Sequence, residues 1–94
     1  MTVVGIDVLR RFAAHHVRAE KPVRWWINIA LTAAWSAPED VMANFPRASA
    51  LPGNRILFRL AGNHFRLVAT IDYTRGIVVI DRIGTHADYD RWRL

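Results

Sequence analysis

The sequence predicts an α+β fold, with N-terminal helices packed on a three-stranded antiparallel sheet and a short C-terminal helix. Apolar residues recur at helical spacing up to Phe45, and they alternate with polar residues after Gly53. Two turn-forming segments divide the alternating part into three runs, which predicts successive hairpins. Because 94 residues provide material for one hydrophobic core, we expect a single domain over residues 1–94.

Two amphipathic helices are predicted at the start of the chain. The apolar stripe of the first consists of Ile6, Leu9, Phe12, Ala13 and Val17. The second is predicted to begin at Pro22, since proline suits a first helical turn. It is apolar on more than one side, so we expect it to be the buried helix. A capping box formed by Ser36 and Glu39 predicts a short third helix that runs to Phe45.

The second half of the chain predicts an antiparallel meander. The three predicted strands are Arg55–Leu60, His64–Asp72 and Ile77–Ile83. Tight turns are expected at Gly62-Asn63 and at Thr74-Arg75-Gly76. The segment from Thr85 to Asp88 repeats the capping pattern, which predicts the short C-terminal helix.

The first hairpin is predicted to place two arginines opposite each other. A two-residue turn at Gly62-Asn63 creates an apolar face from the pairs Leu60 with Phe65, Phe58 with Leu67 and Ile56 with Ala69. On the other face Arg59 lies opposite Arg66, and Arg55 lies opposite Thr70. Opposed like charges cost up to about 1 kcal/mol in a sheet. We therefore expect either a phosphate between Arg59 and Arg66, or guanidinium groups that diverge into solvent or pair with Asp72, Asp81 or a C-terminal carboxylate.

The charge of the chain indicates a phosphate-rich or acidic partner. The net charge is +5, and Lys21 is the only lysine. Arginine binds phosphate oxygens through two parallel hydrogen bonds, although a generically basic surface is the alternative. There is no cysteine, which excludes disulfides and Cys-ligated zinc. Without a basic leader or an apolar run of membrane-spanning length, we expect a soluble, cytoplasmic protein without membrane contact.

Histidine supplies candidate groups for proton transfer. Metal-independent cleavage of RNA needs a base for the 2′-hydroxyl, an acid for the leaving oxygen and positive charge for the transition state. His64 and His86 qualify by residue type, although a lone histidine is more often a surface or capping residue. His15 and His16 point about 100° apart on a helix, and no carboxylate completes a site, so we predict neither a metal nor a cofactor.

The tryptophans are candidate platforms for stacking bases. Trp25, Trp26 and Trp35 occur in apolar helical surroundings, so we expect them in the core. Trp92 lies between Arg91 and Arg93, so it is either a stacking platform for a base or a core residue.

Three sequence blocks resemble the HigB-type toxin family. They are Gly53–Phe58, Gly62–Val68 and Ile83–Asp90, and their order in the chain makes the resemblance specific. Upstream, the family pattern is also matched by Trp35, Pro38, Asp40, Phe45 and Pro46. The similarity extends roughly from Trp26 to Arg91, so the first helix matches least. His64 departs from the pattern, because relatives often have lysine there.

The resemblance implies a RelE-like fold and the toxin of a type II toxin-antitoxin system that cleaves mRNA, commonly on the ribosome. It also implies a cognate HigA-like antitoxin with a helix-turn-helix domain, through which alone the pair contacts operator DNA. The implied site residues are Arg55, Arg66, His86, Tyr89 and Asp90. His64 is then either a proton-transfer group or a neutral neighbour. Further candidates for RNA contact are Arg59, Arg82, Arg91 and Arg93.

Two other functions fit the same residues. The first is a non-catalytic RNA-binding or nucleic-acid-binding module that uses the arginine-bearing sheet face. The second is an interaction protein whose basic face docks an acidic helix.

Overall fold

Five strands form one mixed sheet, and four helices accompany it in the computed structural model, which describes residues 1–94. In chain order the elements are β1 (Thr2–Val4), α1 (Ile6–His15), α2 (Glu20–Thr32), α3 (Pro38–Asn44), β2 (Ser49–Leu51), β3 (Arg55–Leu60), β4 (Phe65–Asp72), β5 (Ile77–Thr85) and α4 (His86–Tyr89). A short 3₁₀ turn, Val17–Ala19, joins α1 to α2. The α+β class is confirmed.

The sheet is larger than the predicted three strands. Its order is β1-β5-β4-β3-β2, and the predicted antiparallel meander forms the three central strands. The prediction was wrong at both edges, because β1 pairs parallel to β5 and β2 pairs antiparallel to β3. Each edge strand has only three residues. A run this short has no measurable period, so sequence pattern did not reveal it.

The predicted register of the first hairpin is confirmed. Arg59 pairs with Arg66 and Arg55 pairs with Thr70, while the three apolar pairs occupy the opposite face. The turn comprises Ala61–His64, with positive φ at Ala61 and Gly62. The third strand continues to Thr85, two residues beyond its predicted end.

The hydrophobic core lies between the helices and one face of the sheet. Its cluster of 18 buried residues contains Leu9 from α1, four residues of α2 and the apolar face of the central strands. Trp26 of α2 and Phe58 of β3 meet there edge to face, with ring centroids 5.3 Å apart. The opposite sheet face is therefore left for other contacts.

Three helix predictions need correction. The second helix begins at Glu20, and Pro22 lies in its first turn, where its missing N–H would have no helical partner. Val17 is not in the core but 81% exposed, since α1 ends at His15. Of the three tryptophans expected in the core, Trp26 and Trp35 are buried, whereas Trp25 is 51% exposed with one edge against a core ring. None of the helices has the length and apolar character to span a bilayer.

The predicted capping box before α3 is also absent. Ser36 donates its backbone N–H and its hydroxyl to Asp40 Oδ2 at 2.8 and 2.9 Å, and Glu39 does not take part. These bonds, above all the one from the backbone N–H, lower the pKa of Asp40. The helix starts one residue later than the pattern suggests, with Ala37 as its N-cap. Because of this shift, the carboxylate that Ser36 can reach is that of Asp40 and not that of Glu39.

Candidate functional site

The sheet face opposite the helices carries four arginines, which we call the arginine face: Arg55, Arg59, Arg66 and Arg82. The C-terminal segment 89–94 lies across this face. Tyr89 stacks on Arg66, the Trp92 ring lies against Gly84, and the backbone oxygen of Leu94 accepts a hydrogen bond from Arg55. The predicted register placed Arg55, Arg59 and Arg66 on one face, but the sequence pattern predicted neither the position of Arg82 nor this cover.

Arg66 is the only buried charged residue, with 8% of its surface exposed. Its Nη2 donates to Asn63 Oδ1 at 2.8 Å, and its Nε–H has no partner. The Tyr89 ring centre lies 4.6 Å from the guanidinium carbon, but no carboxylate pairs with the charge. A buried cation without a counter-ion is costly, so the position favours an anionic ligand.

A capping box fixes the helix that supplies Tyr89. The Asp88 N–H donates to Thr85 Oγ1 at 3.1 Å, and the Thr85 N–H donates to Asp88 Oδ2 at 2.9 Å. This confirms the predicted start of the C-terminal helix. The bond from the Thr85 backbone is the largest cause of a lowered pKa of Asp88, and the capped turn holds Tyr89 over Arg66.

Two histidines lie at the same end of the sheet. The His86 N–H donates to the His64 carbonyl at 2.9 Å, which joins α4 to the first hairpin turn. His86 Nδ1 lies 3.5 Å from Asp90 Oδ2, and His64 Nε2 lies 3.3 Å from an Arg18 nitrogen. Both imidazoles are exposed. The structure therefore brings His64, His86 and Asp90 close to the end of β4 that bears Arg66.

The guanidinium groups of Arg59 and Arg66 diverge instead of converging on one phosphate. Arg59 Nη1 donates to the Arg47 carbonyl at 2.6 Å and to Ser49 Oγ at 2.9 Å, so it turns toward β2. Arg66 turns the other way, toward Asn63 and α4. Of the two expected arrangements, the structure thus has the divergent one, with neutral oxygens as acceptors.

Arg55 lies apart from the Arg66 site. It pairs with Thr70, four residues along β4 from Arg66, which corresponds to about 13 Å of strand. Its Nε–H donates to the Pro52 carbonyl and its Nη2 to the Leu94 backbone oxygen, both at 2.8 Å. In this arrangement Arg55 holds the C-terminal segment.

The remaining predicted RNA contacts lie beside or within the C-terminal segment. Arg82 is exposed, and its guanidinium carbon lies 5.7 Å from the Trp92 ring centre. Arg91 and Arg93 are exposed at the end of the chain. Trp92 itself is half-buried, so one side of its ring packs on the sheet.

Sequence reasoning missed two neighbours of the site. Asn63 was assigned to the turn alone, although it lies three residues from Arg66 and accepts its hydrogen bond. Arg18 contacts His64 across 46 residues of sequence, and no local signal connects the two.

The other two histidines engage backbone groups. His15 Nδ1 and His16 Nδ1 lie 2.9 and 3.0 Å from the carbonyl oxygens of Arg11 and Phe12. No three His, Asp or Glu side chains meet in a group that could hold a metal ion.

Gly84 permits the close approach of the C-terminal segment to the sheet. A Cβ at this position would lie 2.7 Å from Trp92 Cζ2 and 2.9 Å from Asp88 Cβ. We therefore expect Gly84→Ala to push the segment outward and to destabilise the protein by about 1–3 kcal/mol. Urea unfolding measures this cost. In a Trp92→Ala background the same change is expected to cost less, and an equal or absent cost in both backgrounds would contradict the predicted clash.

A family model for HigB toxins, described as the RelE-like toxic component of a toxin-antitoxin system, matches residues 19–92. No curated protein matches the chain. The matched range contains the arginine face, both histidines near Arg66 and most of the C-terminal segment. It leaves out α1.

Proposed function

The chain belongs to the HigB family of RelE-like toxins, and from this premise we propose that it is an endoribonuclease that cleaves mRNA. The main support is Arg66, a buried guanidinium with an unpaired Nε–H and no carboxylate partner. A phosphate group would supply the missing negative charge and accept the free hydrogen bond.

The chemistry we propose is attack of the RNA 2′-hydroxyl on the adjacent phosphate. Arg66, held by Tyr89, stabilises the charge that develops on the phosphorane oxygens. A base takes the proton of the 2′-hydroxyl, and an acid protonates the departing 5′-oxygen. The products are a 2′,3′-cyclic phosphate and a 5′-hydroxyl.

His86 is the proposed group for one of these proton transfers. Asp90 near Nδ1 orients the ring and leaves Nε2 for the substrate, as a carboxylate does for other catalytic imidazoles. His64 is the candidate for the second transfer, because its backbone is bonded to that of His86. The bond from phosphorus to the 2′-oxygen forms as the bond to the 5′-oxygen breaks, and otherwise only protons move. The step therefore needs no external oxidant or reductant.

The other arginines are proposed to bind the RNA backbone on either side of the cleaved phosphate. Arg82 lies beside the C-terminal segment, to which Arg91 and Arg93 belong. Arg55 and Arg59 lie toward the β2 edge. Contacts of this kind position RNA without reading its sequence. We further propose that cleavage occurs on the ribosome in the cytoplasm.

An antitoxin partner follows from the family. We propose that it is a HigA-like helix-turn-helix protein and that the pair contacts operator DNA through it alone.

Analysis of RNA ends tests the proposed activity. The full chain is incubated with mRNA, with and without ribosomes, and the fragments are examined by mass spectrometry. We expect fragments that end in 2′,3′-cyclic phosphate, formed also in the presence of EDTA. Bound but intact RNA would instead establish a non-catalytic binding module.

His86→Ala is expected to slow cleavage by about 10²–10⁴-fold, the usual contribution of a positioned acid or base. Single-turnover cleavage measures the effect. His15→Ala is the matched control, because His15 is exposed on α1 and bonds only a backbone carbonyl. Cleavage by His86→Ala at the wild-type rate would remove His86 from the mechanism.

A further inference from the structure

A groove of about 550 Å³ lies between α1 and α2, within the helical layer on the other side of the sheet from the arginine face. Its apolar lining consists of Ala13, Ala14, Val17, Val23 and Ile27. The polar lining consists of Arg10, Glu20, Arg24 and Asn28. None of these residues belongs to the site around Arg66.

The apolar lining is exposed at Ala14 and Val17, whereas Val23 and Ile27 form the floor of the groove and belong to the core. Val17 is 81% exposed, the largest value among the large apolar residues that remain exposed. Leu31, one helical turn beyond Ile27 on α2, is a second large apolar residue that remains exposed. Exposed apolar residues at the rim of an apolar groove are typical of a protein-binding surface.

The charge around the groove selects the kind of partner. Glu20 forms an ion pair with Arg24, in which Oε1 lies 2.5 Å from Nη2. No carboxylate pairs with Arg10. One positive charge is therefore left over at the edge of an apolar channel. A segment that fits must present apolar side chains to the channel and a carboxylate to Arg10.

We infer that this groove binds an amphipathic, acidic helix of the antitoxin. Two helices side by side form a channel that accepts a third helix through residues spaced three and four apart. A small-molecule site would instead enclose its ligand with a few convergent polar groups, whereas all four polar residues of this groove are exposed. The inference rests on membership of the toxin-antitoxin family and not on the proposed RNA cleavage.

Calorimetric titration tests the inference. The probe is the full-length protein that is encoded by the reading frame next to the gene of this chain. It is titrated into the full chain in the absence of RNA. Arg10→Glu and Val17→Glu are each expected to weaken binding roughly tenfold or more, because they place a carboxylate against the acidic helix or in its apolar channel. Both residues are exposed, so the variants are expected to unfold at the wild-type temperature.

Arg11→Glu is the matched control. Arg11 lies on α1 next to Arg10 but outside the groove, and its exposed bond to Asp7 contributes little to stability. Arg66→Ala is expected to bind the probe with wild-type affinity, which separates this inference from the proposed activity.

Three results would overturn the inference. They are wild-type affinity in both groove variants, an equal loss in Arg11→Glu, and failure of the probe to bind the wild-type chain. Light scattering adds a fourth: if the chain alone forms a dimer that Val17→Glu dissociates, the groove binds a second copy and not the antitoxin.

Discussion

Replacing Arg66 with alanine is expected to reduce RNA cleavage by about 10²–10³-fold, the usual effect of removing one preorganised donor to a transition-state anion. Arg66 is the buried cation of the site and has no carboxylate partner. Its charge is thus free to act on a phosphate. Induction of the variant in cells is expected to leave growth and transcripts intact.

Two further variants give this prediction its specificity. Arg75 lies on the turn between β4 and β5 with 78% of its side chain exposed, so Arg75→Ala is expected to cleave at the wild-type rate. Arg66→Lys keeps the charge but loses the planar donor fork and its stacking on Tyr89, so we expect only partial recovery.

The stability of the Arg66→Ala variant separates catalysis from folding. The hydrogen-bond partner that the change leaves behind is Asn63, which is exposed and can bond water. The variant is therefore expected to stay folded by circular dichroism. Full toxicity of this folded variant would contradict the proposed site.

Phe58→Ala is expected to lower the free energy of unfolding by about 3–5 kcal/mol, a large part of the stability of a small domain. Phe58 is 1% exposed, and its ring meets Trp26 and Phe45 edge to face at 5.3 and 5.0 Å. Alanine would leave a cavity at the centre of the helix–sheet contact. Urea unfolding followed by tryptophan fluorescence measures the loss.

Leu31→Ala is the control for Phe58→Ala. Leu31 is 47% exposed on α2, so its truncation opens no cavity and is expected to change stability by less than about 1 kcal/mol. Equal losses in the two variants would show that the core is not centred on Phe58.

For the site, the resemblance to HigB-type toxins named residues that the structure groups only in part. Arg66, Tyr89, His86 and Asp90 lie at one end of β4 and β5, as a shared site requires. Arg55 lies at the other end and binds the C-terminal segment. A family pattern identifies positions along the chain, whereas the direction of a long arginine side chain depends on the acceptors nearby.

The amino-acid sequence by itself determined what depends on near neighbours in the chain. The apolar alternation and the turn at Gly62-Asn63 set the hairpin register, which put Arg59 opposite Arg66. The spacing of Thr85 and Asp88 set the start of the last helix. Each of these features forms within a few residues, so its signal can be read locally.

Only the tertiary structure decided which distant groups meet. It added two edge strands, laid the C-terminal segment over the arginine face, and brought Arg18 to His64 across 46 residues. It also left Arg66 buried without a counter-ion and left the groove between α1 and α2 open. These outcomes depend on the packing of whole elements against one another, and periodicity within a single element carries no information about its partners.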